Sequence, residues 1–180
     1  MIESTIANRY ARALIKVAAD HGKTEEYLNQ LKSFAAVCDE SSEMLEALSY
    51  RWHDFGQRRN ALDQILSKLN LDEYVQNFIR LLLKKGRLEI FNIVCEKYEE
   101  AAFQTLNRQK LKVVSAVELS DEHYQTLEKH FAQKTGKEIV VQKNINTDVL
   151  GGVSVHIGNE VYDYTLKKQL EVLEHKMLSQ

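Results

Sequence analysis

The chain has 180 residues, no proline, two cysteines and a formal net charge of −2. That length allows one sizeable core or two small ones, and the near-neutral charge lacks the basic signature of a nucleic-acid binder. No apolar run approaches the roughly 20 residues of a membrane-spanning helix, and Met1-Ile2-Glu3-Ser4 leads into a charged, periodic segment unlike a signal peptide. These features describe a cytosolic protein, or one held on a membrane only through partners.

From the start to about Thr105 the sequence reads as successive amphipathic helices, and typical usage would have supplied about nine prolines to interrupt them. Ile6, Tyr10, Ala13, Leu14 and Val17 make the first stripe, with Ser4 or Thr5 as the expected N-cap and Gly22 as the stop. A second helix is predicted from Thr24 to Asp39 on Tyr27, Leu28, Leu31, Phe34 and Ala35. Cys38 and Cys95 continue helical stripes, which makes them buried small hydrophobes rather than a disulfide framework. Short pieces over Met44–Leu48 and Gln57–Leu69 precede a strong helix from Asp72 to Lys85. Gly86 stops it, and Arg87 to Thr105 gives another, carried by Leu88, Phe91, Cys95, Tyr98 and Ala102. Connections this short favour an antiparallel bundle.

Beyond Asn107 the pattern changes. Lys110–Val117, Ile139–Asn144 and Val153–Ile157 are β-rich, and Gly158-Asn159 is a two-residue hairpin turn before Glu160–Asp163. A helix over Asp121–Thr135, with Ser120 as N-cap, lies between strands, and a last one follows Leu166, Leu170, Leu173 and Met177. The fold class is therefore mostly α, a helical bundle over 1–105 followed by a small α+β domain over 106–180. The charges fall as 14 basic and 16 acidic residues through Thr105 and 10 of each afterwards, so neither part selects a polyanion.

No recognisable chemistry emerges from the motifs. Gly136-Lys137 lacks the earlier glycine and the following Ser or Thr of a phosphate loop, since Phe131 and Glu138 stand there. None of His21, His53, His123, His130, His156 and His175 has metal-ligand spacing, and no nucleophile elbow occurs. Gly151-Gly152 precedes a strand rather than a helix, so a tight bend or close backbone contact outweighs anion binding. The cations Lys84, Lys85 and Arg87 suit a helix C-terminus, and Arg58-Arg59 has no interleaved aromatics. No catalytic residue, metal or cofactor is expected.

Two helices are broader in apolar arc than one core contact requires. At about 100° per residue, Tyr74, Val75, Phe78, Ile79, Leu81, Leu82 and Leu83 span roughly 200°, against roughly 100° for a minimal surface helix. The first helix widens similarly through Ala7, Ala11, Ile15 and Ala18. Either both helices are buried on two sides, or part of each arc forms a groove for a partner's amphipathic helix. Periodicity does not choose between them.

Motifs distributed in order along the chain resemble one family. Ile6-Ala7-Asn8-Arg9-Tyr10-Ala11-Arg12-Ala13-Leu14 is similar to the start of ATP synthase delta subunits, relatives of the mitochondrial oligomycin-sensitivity-conferring protein. Asn77-Phe78-Ile79-Arg80-Leu81-Leu82 with Lys85-Gly86-Arg87-Leu88 resembles an internal signature. Leu150-Gly151-Gly152-Val153, then His156-Ile157-Gly158-Asn159 and Val161-Tyr162-Asp163, resembles another. The chain departs from the family at Asn146-Thr147-Asp148-Val149, where Asp-Pro is frequent, and at His156, where arginine is usual.

The resemblance implies an N-terminal six-helix domain whose first and fifth helices hold the N-terminal helix of a catalytic-head alpha subunit, with beta as a further contact. Carried over by position, the groove residues are Tyr10, Ala13, Leu14, Val17, Phe78, Leu81 and Leu82. It also implies a C-terminal domain meeting the peripheral-stalk b subunits, for which Val155, Ile157, Leu170 and Leu173 are the candidates. The implied role is a non-catalytic stator adaptor at the cytoplasmic side of a bacterial membrane, attached through the complex. The rivals are a helical adaptor of another assembly, an enzyme built around the glycine pair and Asp163, and a membrane-surface protein using Lys84, Lys85 and Arg87.

Overall fold

A computed structural model describes residues 2–40, 42–49, 54–146, 149, 151–158 and 160–178. The chain divides into two compact units, Met1–Leu106 and Asn107–Gln180.

The first unit is helical: α1 (Ile2–Asp20), α2 (Thr24–Glu40), α3 (Ser42–Ser49), α4 (Phe55–Lys68), α5 (Glu73–Lys84), a 3-10 turn at Leu88–Ile90 and α6 (Phe91–Thr105). Its core forms where α1 and α2 lie against α6. Ala7, Ala11 and Ala18 of α1 and Ala102 of α6 are completely buried, and such small side chains let helix axes approach closely. Tyr27, Leu31 and Phe34 of α2 fill the space beside Phe91, Val94 and Tyr98, with the Phe34 and Phe91 rings edge to face at 4.9 Å. Helix α4 begins at Phe55, earlier than the apolar spacing indicates, because Asp54 caps it by accepting from the Gly56 N–H at 2.9 Å.

Three sequence expectations are corrected here. Ser4 and Thr5 lie inside α1 rather than before it, and Glu3 occupies the first turn, where the helix dipole favours an anion. The segment after Gly86 starts as a 3-10 turn, because Arg87 has non-helical backbone angles and α6 proper begins only at Phe91. Cys38 is buried as expected, but Cys95 is only partly so.

The second unit holds β1 (Arg108–Ser115), α7 (Asp121–Thr135), β2 (Glu138–Ile145), β3 (Val153–Ile157), β4 (Glu160–Asp163) and α8 (Leu166–Leu178). The sheet order is β2-β1-β3-β4, with β1 and β2 parallel and the other pairs antiparallel. The parallel pair requires a crossover, supplied by α7. Strand β1 starts earlier than expected because Arg108 pairs with Glu138, with an ion pair at 3.0 Å. It ends at Ser115, whose hydroxyl donates to the Val117 carbonyl and turns the chain. Ser120 precedes α7, but its hydroxyl engages His123 Nδ1 at 2.8 Å instead of a backbone N–H.

Tyr124 and Phe131 of α7 cover Leu111, Val113, Ile139, Val155 and Ile157 of the sheet, forming a separate core. Gly152 carries the chain past the start of α8. Its φ is +86°, and an added Cβ would lie 2.3 Å from the Tyr164 carbonyl oxygen, so only glycine fits. Asn159 of the expected hairpin turn, together with Leu150, Thr147, Asp148 and His53, lies outside the described residues, as does the side chain of Leu173.

Candidate functional site

The broad apolar arcs of α1 and α5 resolve into two faces each. On α1, Ala7, Ala11, Leu14 and Ala18 point into the core, while Ile6, Tyr10, Ala13 and Val17 lie rotated by about 100°. Of that second set, Tyr10 and Val17 are half-buried and Ala13 is exposed. On α5, Val75, Ile79, Leu82 and Leu83 are buried, while Tyr74 and Leu81 keep 48% and 41% of their surface. Phe78 lies between the two faces, nearly buried, and its ring meets Tyr10 edge to face at 6.2 Å.

The helices run antiparallel along this seam. Tyr10 faces Phe78 at the middle of α5, and the His21 ring lies 4.6 Å from that of Tyr74 near its start. Of the residues carried over from the family, Tyr10, Ala13, Val17, Phe78 and Leu81 line or border the seam. Leu14 and Leu82 stand behind it as core, at 4% and 0% exposure. The polar side of α5 borders a cleft of about 300 Å³ lined by Phe55, Arg59, Asn77, Arg80, Leu81, Leu83 and Lys84. Arg80 is already engaged there, donating to Asp63 at 2.7 Å and to Asn77 and Gln76.

Both ends of α5 are fixed by polar contacts. At its start Asp72 caps the helix, accepting from Tyr74 N, from Lys23 Nζ at 2.9 Å and from the Tyr27 hydroxyl, while its own N–H donates to Gln30. The Lys23 hydrogen bond is the main reason its carboxyl sits below the usual range. Burial first, and then Asp72, pushes the Tyr27 phenol up to about 12. At the other end Gly86 adopts φ +61°, and the Arg87 N–H bonds to Leu82 O while the Gly86 N–H bonds to Leu83 O. This glycine-terminated motif turns the chain back over the last turn of α5. Arg87 is thereby brought to Tyr10, donating from Nη1 to its hydroxyl at 2.8 Å with the guanidinium 5.5 Å from the ring centroid.

In the second unit, strand alternation places the odd-numbered residues of β3 under α7. Val155 and Ile157 are therefore core residues, 1% and 7% exposed, which corrects their assignment to a partner surface. Leu166, Leu170 and Met177 of α8 are instead 49%, 61% and 73% exposed. Their i, i+4, i+11 spacing puts them on one side of the helix. Sequence reasoning also missed Tyr74 and Arg87 as seam residues. The first was visible in the α5 arc; the second depends on a contact across 77 positions.

Burial pushes the Cys38 thiol up to about 11 and the Cys95 thiol to about 12, which disfavours the nucleophilic thiolate. Among the described residues, no group of three or more His, Cys, Asp or Glu side chains is placed to hold a metal ion. No described helix is long and apolar enough to cross a membrane.

Comparison with known proteins gives one consistent result. The family model described as ATP synthase delta (OSCP) subunit matches residues 6–177. A protein called ATP synthase subunit delta from Anaeromyxobacter sp. strain Fw109-5 is 30% identical over 177 residues, covering 98% of this chain and 99% of that protein. Its counterpart from Desulfotalea psychrophila is 28% identical, with 98% of each chain covered. The fold is similar to that of a chain in the Toxoplasma gondii mitochondrial ATP synthase hexamer, with a TM-score of 0.72, 18% identity, and coverage of 96% of this chain and 97% of that one.

Proposed function

This chain belongs to the ATP synthase delta (OSCP) subunit family, non-catalytic components of the peripheral stalk of F-type ATP synthases, and on that premise we propose that its two units grip different parts of the enzyme. The helical unit is a six-helix domain whose α1–α5 seam receives the N-terminal helix of an alpha subunit, with beta as a neighbouring contact. The α+β unit meets the C-terminal ends of the b subunits through α8. Attachment is on the cytoplasmic side of a bacterial membrane, through the complex.

The observation that carries this reading is the set of exposed and half-buried apolar side chains along the seam. Tyr74 and Leu81 lie on one flank, with Tyr10, Ala13 and Val17 on the other. An amphipathic helix presenting apolar residues at i, i+3, i+4 and i+7 would cover both flanks, and Ala13 leaves room for its backbone to approach. Rotation of the central shaft exerts torque on the catalytic head. An adaptor that holds head and stalk through separate surfaces supplies the opposing force without acid, base or nucleophile.

Isothermal titration of the full chain with a synthetic peptide of the alpha subunit's first 25 or so residues tests the seam. Saturable one-to-one binding with a negative heat-capacity change, the mark of apolar burial, is expected. Absence of binding would overturn the placement of alpha on this unit. Capture of a soluble b-subunit dimer by the full chain, but not by a chain ending before α8, tests the second contact.

A further inference from the structure

We propose that Arg87 is the positioning residue of the seam: it locks Tyr10 into the groove wall and offers its remaining guanidinium donors to an acidic side chain of the docked helix. This rests on the reading of the seam as the alpha-helix site. Tyr10 and Arg87 belong to motifs 77 positions apart, and the glycine turn after α5 brings them together. The guanidinium uses Nη1 on the Tyr10 hydroxyl, and its carbon lies over the ring 5.5 Å from the centroid. The ring in turn meets Phe78 edge to face, so cation, phenol and phenyl follow one another from the rim inward.

Arg87 is exposed, as are Lys84 and Lys85 at the same end of α5, whereas Asp20 and Glu73 are exposed at the opposite end of the seam. Three cations therefore gather at the Arg87 end of α5, with Glu3, seven residues before Tyr10 on the same side of α1, exposed toward that end as well. A docked helix meets complementary charge when its acidic residues, or its negative C-terminal dipole, lie beside Arg87. The planar fork of arginine, held on one side by Tyr10, is oriented for a carboxylate in a way a lysine ammonium is not.

The test is titration of full-length variants with the alpha N-terminal peptide at low and high salt. Arg87→Ala is expected to weaken binding about tenfold and to flatten its salt dependence. Arg87→Lys, which keeps the charge but not the fork, is expected to weaken it roughly threefold. Tyr10→Phe added to Arg87→Ala is expected to cause no further loss, because both changes break one contact. A peptide with its acidic residues replaced by the matching amides should bind the unaltered chain more weakly while binding Arg87→Ala as the parent peptide does. Affinity of Arg87→Ala within twofold of the unaltered chain, or a loss with unchanged salt dependence, would overturn the role of Arg87 while leaving the groove intact. Failure of the unaltered chain to bind would instead remove the groove. Should Arg87→Ala lose helical signal, Arg87→Lys decides: parent-like affinity and salt response overturn the proposal.

Discussion

Leu81 and Leu82 are adjacent on α5 and chemically identical, yet they are expected to respond in opposite ways to the same substitution. Leu82 is fully buried, so Leu82→Ala removes packed atoms from the first core and should cost about 3 kcal/mol of folding stability. Leu81 keeps 41% of its surface exposed, so Leu81→Ala should cost the free chain only about 1 kcal/mol. The remaining exposed part is what a docked helix would cover. Fully burying a leucine contributes about 1.5–3 kcal/mol, and the uncovered share is worth about 1 kcal/mol, roughly fivefold in Kd. Urea unfolding followed by far-ultraviolet circular dichroism gives the first quantity, and titration with the alpha peptide gives the second. Leu81→Ala should weaken binding about fivefold with a small shift of the unfolding midpoint. Leu82→Ala should shift the midpoint strongly and, while the chain stays folded, change affinity less. Unchanged affinity of Leu81→Ala, or a destabilisation equal to that of Leu82→Ala, would refute the division of α5 into seam and core faces.

Further outcomes follow from single side chains. Asp72→Ala should destabilise the helical unit by about 1 kcal/mol through loss of the α5 cap, whereas Asp72→Asn keeps a capping oxygen and loses only the charge-dependent part. Because the folded-state carboxyl lies below its ordinary value of 3.8, that part is complete above this pH and disappears as the pH falls through the folded value. The stability gap between the unaltered chain and Asp72→Asn should therefore close in acid, and a gap that widens there would contradict the Lys23 contact. Gly152→Ala should cost about 2 kcal/mol or more, since both its φ and the Tyr164 carbonyl oppose a Cβ. Gly136→Ala, with φ +66° and nothing within 4 Å, should cost only about 1 kcal/mol; equal midpoints in urea would refute the steric account. Leu170→Glu, at a site 61% exposed, should leave the unfolding midpoint within error and reduce capture of b subunits at least tenfold.

Most of the secondary structure was legible because the chain marks its own boundaries. Gly22, Gly86 and Gly136 each stand at positive φ after a helix, where glycine is the default residue. The strands showed through alternation, but alternation gives only relative faces. It could not say that Val155 and Ile157 point under α7 while their even-numbered neighbours point away, because nothing local identifies which face the crossover helix will cover. The same ambiguity limited the seam. A 200° apolar arc reveals that α5 has more to bury than one core contact, and the structure is needed to assign Val75, Ile79 and Leu82 to that core and Tyr74 and Leu81 to the uncovered side. Arg87 was readable only as a helix-terminal cation, since its partner Tyr10 is distant in sequence.

The uncovered apolar residues of each unit lie beside a core that is complete without them. In the first unit Tyr27, Phe34, Phe91 and Tyr98 are buried irrespective of the seam. In the second, Tyr124 and Phe131 close over the sheet while Leu166, Leu170 and Met177 remain outside. Burying these outer residues is free energy left over for association, so the substitutions above can separate binding from folding. That separation suits a stalk subunit. A contact under torque can be strained, or can release and re-form, without drawing on the interactions that keep its own unit folded. An adaptor whose grip and core were the same residues would instead unfold in proportion to the load on it. The Asp72 cap, tying α5 to α2 through Tyr27 and Gln30, and the Arg87–Tyr10 clasp, tying its far end to α1, hold both ends of the seam helix to the rest of the unit. Force applied along α5 would thereby pass to α2, which lies outside the seam, and to α1, its other wall.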